Sequence, residues 1–271
     1  MKKAINVGFY PAETSYEEIF SKVKAAGFQA VELNMHGEKT SDPGLYASVS
    51  DSEVLEVKKL LEKYGLECVG TVTDKLWAYN LTSDDAAMRN KGIELIKKMI
   101  DINVILGSDS VLIVPGVVND DVTYANAYNN AMNSLKELAP YAEKNKVYLG
   151  IENVWNKFLI APYEMQQFID KVGSDYVTAY FDAGNVVINS YPEYWIEILN
   201  NRIKRLHVKG FNRDTGLFCY LWEGSVRWDR VMAELKKTGY DGYITAELGI
   251  NGDADKDLQK ISDDITKIIN S

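Results

Sequence analysis

A short unit recurs along the chain: a helix-forming stretch ends at glycine, and an apolar, β-like run begins one to four residues later. It occurs at Ala25-Ala26-Gly27 before residues 28–33, at Lys63-Tyr64-Gly65 before 66–72, at Ile105-Leu106-Gly107 before 110–114, and at Lys237-Thr238-Gly239 before 243–247. Glycine just past a helix takes the left-handed conformation that ends it, so each instance marks a helix-to-strand turn. Further apolar runs at 5–9, 147–152, 177–182 and 203–208 bring the number of predicted strands to eight. The intervening segments predict helices over 15–26, 50–64, 83–106, 123–145, 163–172, 192–200, 225–238 and 255–269, with Ser15/Glu18 and Ser50/Glu53 spaced as capping boxes.

Strict alternation of strand and helix demands parallel strands joined by helical crossovers. Eight such units in 271 residues point to an α/β fold, a (β/α)8 TIM barrel, with an open doubly wound sheet as the alternative. No Pro/Gly/Ser-rich linker divides the chain, so residues 1–271 are expected to form a single domain.

The barrel reading gives meaning to the strand ends, because residues far apart in sequence meet at one mouth when they terminate parallel strands. The runs ending Gly150-Ile151-Glu152, Tyr180-Phe181-Asp182, Arg205-Leu206-His207-Val208 and Thr245-Ala246-Glu247 present Glu, Asp, His and Glu in turn. The spacings of 30, 25 and 40 residues each accommodate one helix and one strand. Adjacent strands lie about 4.8 Å apart, so four consecutive ends can surround one ion. Three carboxylates and an imidazole suit a divalent cation, and a buried mouth holding three carboxylates needs positive charge to offset their repulsion.

Composition narrows the partners. A net charge of −9 argues against a general nucleic-acid binder, which concentrates Lys and Arg to displace counterions. No apolar segment approaches a transmembrane span, and the N-terminus lacks a signal-peptide core before Pro11. Cys68 and Cys219 form no CxxC motif, fitting reduced thiols in a cytoplasmic protein.

Taken together, Gly150-Ile151-Glu152-Asn153, Phe181-Asp182-Ala183-Gly184-Asn185, Leu206-His207-Val208-Lys209 and Ala246-Glu247-Leu248 resemble the xylose-isomerase-like TIM barrels of the sugar phosphate isomerase/epimerase group. Within it the sequence is most similar to the L-ribulose-5-phosphate (L-xylulose-5-phosphate) 3-epimerases and the ketose 3-epimerases. The resemblance spans most of the chain, including residues 91–96 and 222–228. It implies one divalent ion (Mn2+, Mg2+, Co2+ or Zn2+) on Glu152, Asp182, His207 and Glu247, with Glu152 and Glu247 doubling as acid/base groups in C3 epimerisation through an enediolate. Lys209, Asn185, Arg213, Glu223, Trp155 and His36 are the candidate contacts to a sugar or sugar phosphate, His36 reading more readily as an exposed loop histidine, in a protein that is a monomer or homo-oligomer. Three departures bear on the substrate: Gly210 where the family often has Asp, Trp222-Glu223-Gly224 where many members have Gly-Glu-Gly, and Asn185 where free-ketose epimerases tend to carry His.

Other side chains have two readings at this stage. Lys209, Arg213 and Arg227 near the seventh strand are either a phosphate site or ordinary solvated charge, and the phosphate reading favours a phosphorylated ketopentose as the substrate. Glu32, at the end of the second strand, bonds either substrate or structure. Trp77, Trp155, Phe158 and Trp222 fall in expected βα loops, where aromatics cover a sugar. The competing activities are isomerase or dehydratase chemistry on hydroxypyruvate or an inosose, metal-dependent endonuclease action, and non-catalytic sugar binding. Endonuclease action needs several metals and many histidines, and the chain has only His36 and His207. Retention of both Glu152 and Glu247 speaks against a mere binding role.

Overall fold

The computed structural model describes residues 1–41, 43–248 and 254–271. In chain order the elements are β1 (Lys2–Asn6), α1 (Tyr16–Ala25), β2 (Ala30–Asn34), α2 (Asp51–Tyr64), β3 (Glu67–Val72), α3 (Ala86–Leu106), β4 (Ser110–Ile113), α4 (Tyr124–Asn145) and β5 (Tyr148–Glu152). There follow α5 (Pro162–Val172), β6 (Val177–Asp182), α6 (Pro192–Leu199), β7 (Ile203–Val208), β8 (Gly210–Asn212), β9 (Leu217–Cys219), α7 (Trp228–Thr238), β10 (Tyr243–Ala246) and α8 (Ala254–Ile269). Strands β1 to β7 and β10 close a barrel in the order β1-β10-β7-β6-β5-β4-β3-β2. Because β10 pairs in parallel with both β1 and β7, the sheet has no free edge, which rules out the open alternative.

Local sequence accounts for the boundaries. Gly65, Gly107 and Gly239 take φ of 59°, 78° and 75° at the ends of α2, α3 and α7, as the repeated unit requires. Ser50 and Glu53 form a complete capping box, while at Ser15 the hydroxyl accepts from the Glu18 amide. Three elements start three residues away from the sequence expectation; of these, α3 begins at Ala86 rather than at 83 because Asp85 caps it, its side chain accepting the Ala87 amide. The first strand runs over Lys2–Asn6 rather than 5–9, because the Asn6 side chain turns back to accept the Gly8 amide and bends the chain out of the sheet. Helix α7 starts at Trp228 rather than at residue 225: Ser225 donates its amide to Phe211 and accepts the Arg213 amide on its hydroxyl, so it belongs to the β8–β9 hairpin. That hairpin, inserted between β7 and α7, was not foreseen.

The helices pack apolar stripes onto the outside of the barrel, burying Phe20, Phe28, Phe168, Trp195 and Trp228. Inside, Ala4, Ala30 and Val69 pack with Tyr243. Side chains two apart on a strand share a face, so Arg205 and His207 of β7 both enter the interior. Arg205 is buried and pairs with Asp109, whereas His207 sits two residues further along, toward the carboxyl ends of the strands. No helix among the described residues is long and apolar enough to cross a membrane.

Candidate metal centre

Glu152 and Asp182 are the last residues of β5 and β6, His207 is the penultimate residue of β7, and Glu247 follows β10 directly. Barrel closure brings them together: one ligand-capable atom from each lies within 4.8 Å of all the others. The His207 ring is fully buried, with Nδ1 3.4 Å from Glu152 Oε1, 3.6 Å from Glu247 Oε2 and 4.0 Å from Asp182 Oδ2. Its other nitrogen, Nε2, lies 2.9 and 3.1 Å from the two oxygens of Glu32.

Asp182 is held by Asn153, the residue after β5. The Asn153 amide group accepts the Asp182 N–H and donates to the Asp182 carbonyl, both at 2.8 Å, extending the β5–β6 ladder with a side chain. Asp182 Oδ1 accepts the Asn185 amide at 2.7 Å, and Asn185 Nδ2 donates to the Asn153 carbonyl. Lys209 reaches in from the end of β7, its Nζ 2.5 Å from Glu247 Oε2 and 2.9 Å from Asp182 Oδ2.

The donor set fits a divalent cation. Glu152 Oε1, Asp182 Oδ2 and His207 Nδ1 are buried and make no hydrogen bond among the described residues; the Lys209–Asp182 approach is an ion pair without hydrogen-bond alignment. Buried polar atoms left without hydrogen bonds are costly, and here they converge on one point with the mixed O and N character that suits a divalent transition metal or Mg2+.

The charges are unevenly distributed. Burial, reinforced by the Glu247 charge, pushes the Glu152 carboxyl up to about 7 despite the pull of the neighbouring His207. Burial likewise raises Asp182, against the pull of Lys209. For Glu247 burial is outweighed by His207 and Lys209, which hold it below the usual carboxylate range. Burial alone would lower His207, but the Glu32 and Glu247 charges override it and raise the imidazole well above its ordinary value. Protons on Glu152 and His207 therefore compete with a metal at low pH. Affinity for Mn2+ should rise as pH passes through about 7, with proton release detectable by calorimetry in buffers of different ionisation enthalpy. A pH-independent affinity would contradict this.

Above the cluster is a cavity of about 360 Å³ lined by Glu152, Glu247, Lys209 and Asn185, with Asn34, Thr73 and Asp74 on one side and Trp77, Trp155 and Phe218 as aromatic walls. Phe218 comes from β9 and stacks on Trp155, centroids 4.9 Å apart and planes 17° from parallel. Trp155 also donates its indole N–H to the Asn185 carbonyl, which ties the wall to the loop following Asp182.

The structure thus joins Lys209, Asn185, Trp155 and Trp77 to the four-residue cluster and leaves other expected site residues elsewhere. His36 pairs with Tyr46 in an isolated bridge and does not line the cavity. Arg213 donates to the Val187 and Ser190 carbonyls and stacks over Tyr191. Arg227 pairs with Asp229 on the surface, and Glu223 with Lys260. Phe158 is core, packed against Tyr124, Tyr128 and Phe168, and Trp222 donates to the Asp264 carbonyl. Of the two readings of Glu32, the structural one holds: it is buried and bonded to His207, Asn6 and Tyr180. Sequence reasoning assigned no role to Asn153, although its place directly after Glu152 was a signal, and it missed Phe218, which lies in a three-residue strand with no periodicity to read.

Residues 20–265 match the model of the xylose isomerase-like TIM barrel family. A Haemophilus influenzae protein provisionally named L-ribulose-5-phosphate 3-epimerase SgbU is 22% identical over 263 residues, covering 92% of this chain and 90% of that protein. Among solved structures, a D-tagatose 3-epimerase-like protein superposes with a TM-score of 0.79 at 22% identity, covering 100% of this chain and 98% of that one. The 3-keto-D-glucoside 4-epimerase YcjR of E. coli gives 0.79 at 14% identity over the whole of both chains. At these identities the two superpositions speak to the fold.

Proposed function

The chain belongs to the xylose isomerase-like TIM barrel family, and from that membership we propose that it is a divalent-metal-dependent epimerase of a keto sugar, inverting C3 of a neutral ketose. The observation that carries this is the placing of two glutamates, Glu152 and Glu247, in one four-donor cluster at the floor of a sugar-sized cavity. Glu152, Asp182, His207 and Glu247 would hold the ion, which supplies Lewis acidity beside the substrate carbonyl and so lowers the cost of removing the neighbouring proton. One glutamate takes that proton from one face of C3 and the other returns a proton to the opposite face. Their unlike environments, Glu152 pushed up and Glu247 held down, are those of an acid and a base. Trp77, Trp155 and Phe218 wall the cavity and limit the water that reaches the carbanionic carbon.

The neutral substrate is argued from charge. The Haemophilus relative's provisional name carries a phosphate, but among the described residues lining this cavity the only cation is Lys209, already against Asp182 and Glu247, while Asp74 adds negative charge. Arg213 and Arg227 are committed elsewhere. A phosphate dianion would meet net negative charge.

The test is a panel of ketoses and their phosphates in deuterated water, with the exchanged carbon located by NMR. Deuterium at C3 of both epimers, with kcat/KM for the free ketose at least equal to that of its phosphate, is the expected result. Exchange confined to another carbon would point to isomerase or dehydratase chemistry. A preference of more than tenfold for the phosphates would restore the phosphorylated substrate.

A further inference from the structure

Glu32 lies wholly buried beneath the cluster, and no step of the proposed reaction uses it. Its carboxylate receives three donors: Asn6 Nδ2 at 2.5 Å, the Tyr180 hydroxyl, and His207 Nε2. These come from β1, β6 and β7, so Glu32, on β2, braces the imidazole from across the barrel. The Tyr180 ring meets the edge of the His207 ring, centroids 4.8 Å apart, and restricts its rotation.

An imidazole that ligates a metal through one nitrogen carries its hydrogen on the other, and the partner of that hydrogen decides which nitrogen is free. An ionised carboxylate only accepts, so Glu32 requires the hydrogen on Nε2. Nδ1, with no hydrogen bond among the described residues, then points at Glu152, Asp182 and Glu247. We propose that Glu32 is a positioning residue for the metal: by accepting the Nε2–H of His207 it sets the ring's orientation and presents Nδ1 as the ligand. The assignment rests on the metal reading given above.

The experiment compares wild type with Glu32→Gln, Glu32→Leu and, as a stability control, Asn103→Ala, which removes buried hydrogen bonds to Thr71 of β3 and to the Met99 carbonyl within α3. Mn2+ affinity is measured by titration, and the imidazole nitrogens of the Zn2+-loaded proteins are observed by 15N NMR. With only His36 and His207 in the chain, the spectrum contains two rings. Glu32→Leu should weaken Mn2+ binding about 10- to 100-fold and lose the protected Nε2–H signal of His207. Glu32→Gln, whose amide oxygen still accepts, should fall between it and wild type with a shifted Nε2 resonance. Asn103→Ala should bind as wild type does. If Glu32→Leu does not fold, Glu32→Gln decides: wild-type affinity and an unshifted His207 pattern overturn the assignment. If wild type itself binds no divalent cation at millimolar concentration, the metal reading falls and this inference with it; if wild type binds and the folded variants match it, only the role of Glu32 falls.

Discussion

Glu152→Gln and Glu247→Gln should each lower epimerisation by at least about 10³-fold, within the range that a positioned acid or base contributes. Each substitution keeps shape and one oxygen but removes the group that exchanges a proton on one face of C3. Each also weakens a ligand, so turnover has to be read at saturating Mn2+ with metal content measured alongside. The informative readout is deuterium. A variant that has lost only the reprotonating glutamate can still exchange the C3 proton with solvent on the retained face without inverting the centre. Exchange without epimerisation in one variant, and neither in the other, would assign the faces. Near-wild-type turnover in both, with metal bound, would end the two-glutamate mechanism.

Removing the metal should have an equally large effect on a different quantity. Three carboxylates share the site and two of them are fully or almost fully buried, with Lys209 as the cation directly against Asp182 and Glu247. The metal-free protein is expected to fold, because that ion pair offsets part of the repulsion, but at reduced stability. A ligand present at about a thousand times its Kd stabilises the folded state by about 4 kcal/mol, which for a domain approaching this size is a rise in Tm on the order of 10 °C. Saturating Mn2+ should produce that shift, and chelation should reverse it and reduce turnover to background until metal is restored. Unchanged Tm and turnover after verified removal of all divalent ions would sink the metal reading.

Most of the barrel could be read from the sequence, because its signals are local and repeated. Glycines at helix ends impose their own conformation wherever they occur, and Asp182 and His207 sit at the ends of apolar runs that the structure reproduces residue for residue. What failed depended on contacts with no local trace. Arg213 and Arg227 resemble a phosphate site in one dimension, yet one caps free carbonyls of the loop after β6 and the other pairs two residues along with Asp229. Glu32 was ambiguous for the opposite reason: a carboxylate at a strand end reads alike whether it faces substrate or core, and only closure of β2 against the far wall distinguishes the two. The end of β1 was misplaced because the side-chain oxygen of Asn6, the last residue of the strand, accepts the Gly8 amide and turns the chain there.

The β8–β9 hairpin carries Phe218 to the cavity wall, yet it forms a two-stranded sheet of its own, apart from the barrel. Barrel register is fixed by β7 pairing with β6 and β10 through residues 203–208 of β7, and no residue of the hairpin takes part in it. Length and sequence between Gly210 and Cys219 can therefore drift over generations without disturbing the strand ends that carry Asp182, His207 and Glu247. The chemistry and the selectivity of such an enzyme are then heritable separately, and a change of sugar needs no change in the machinery that moves the proton.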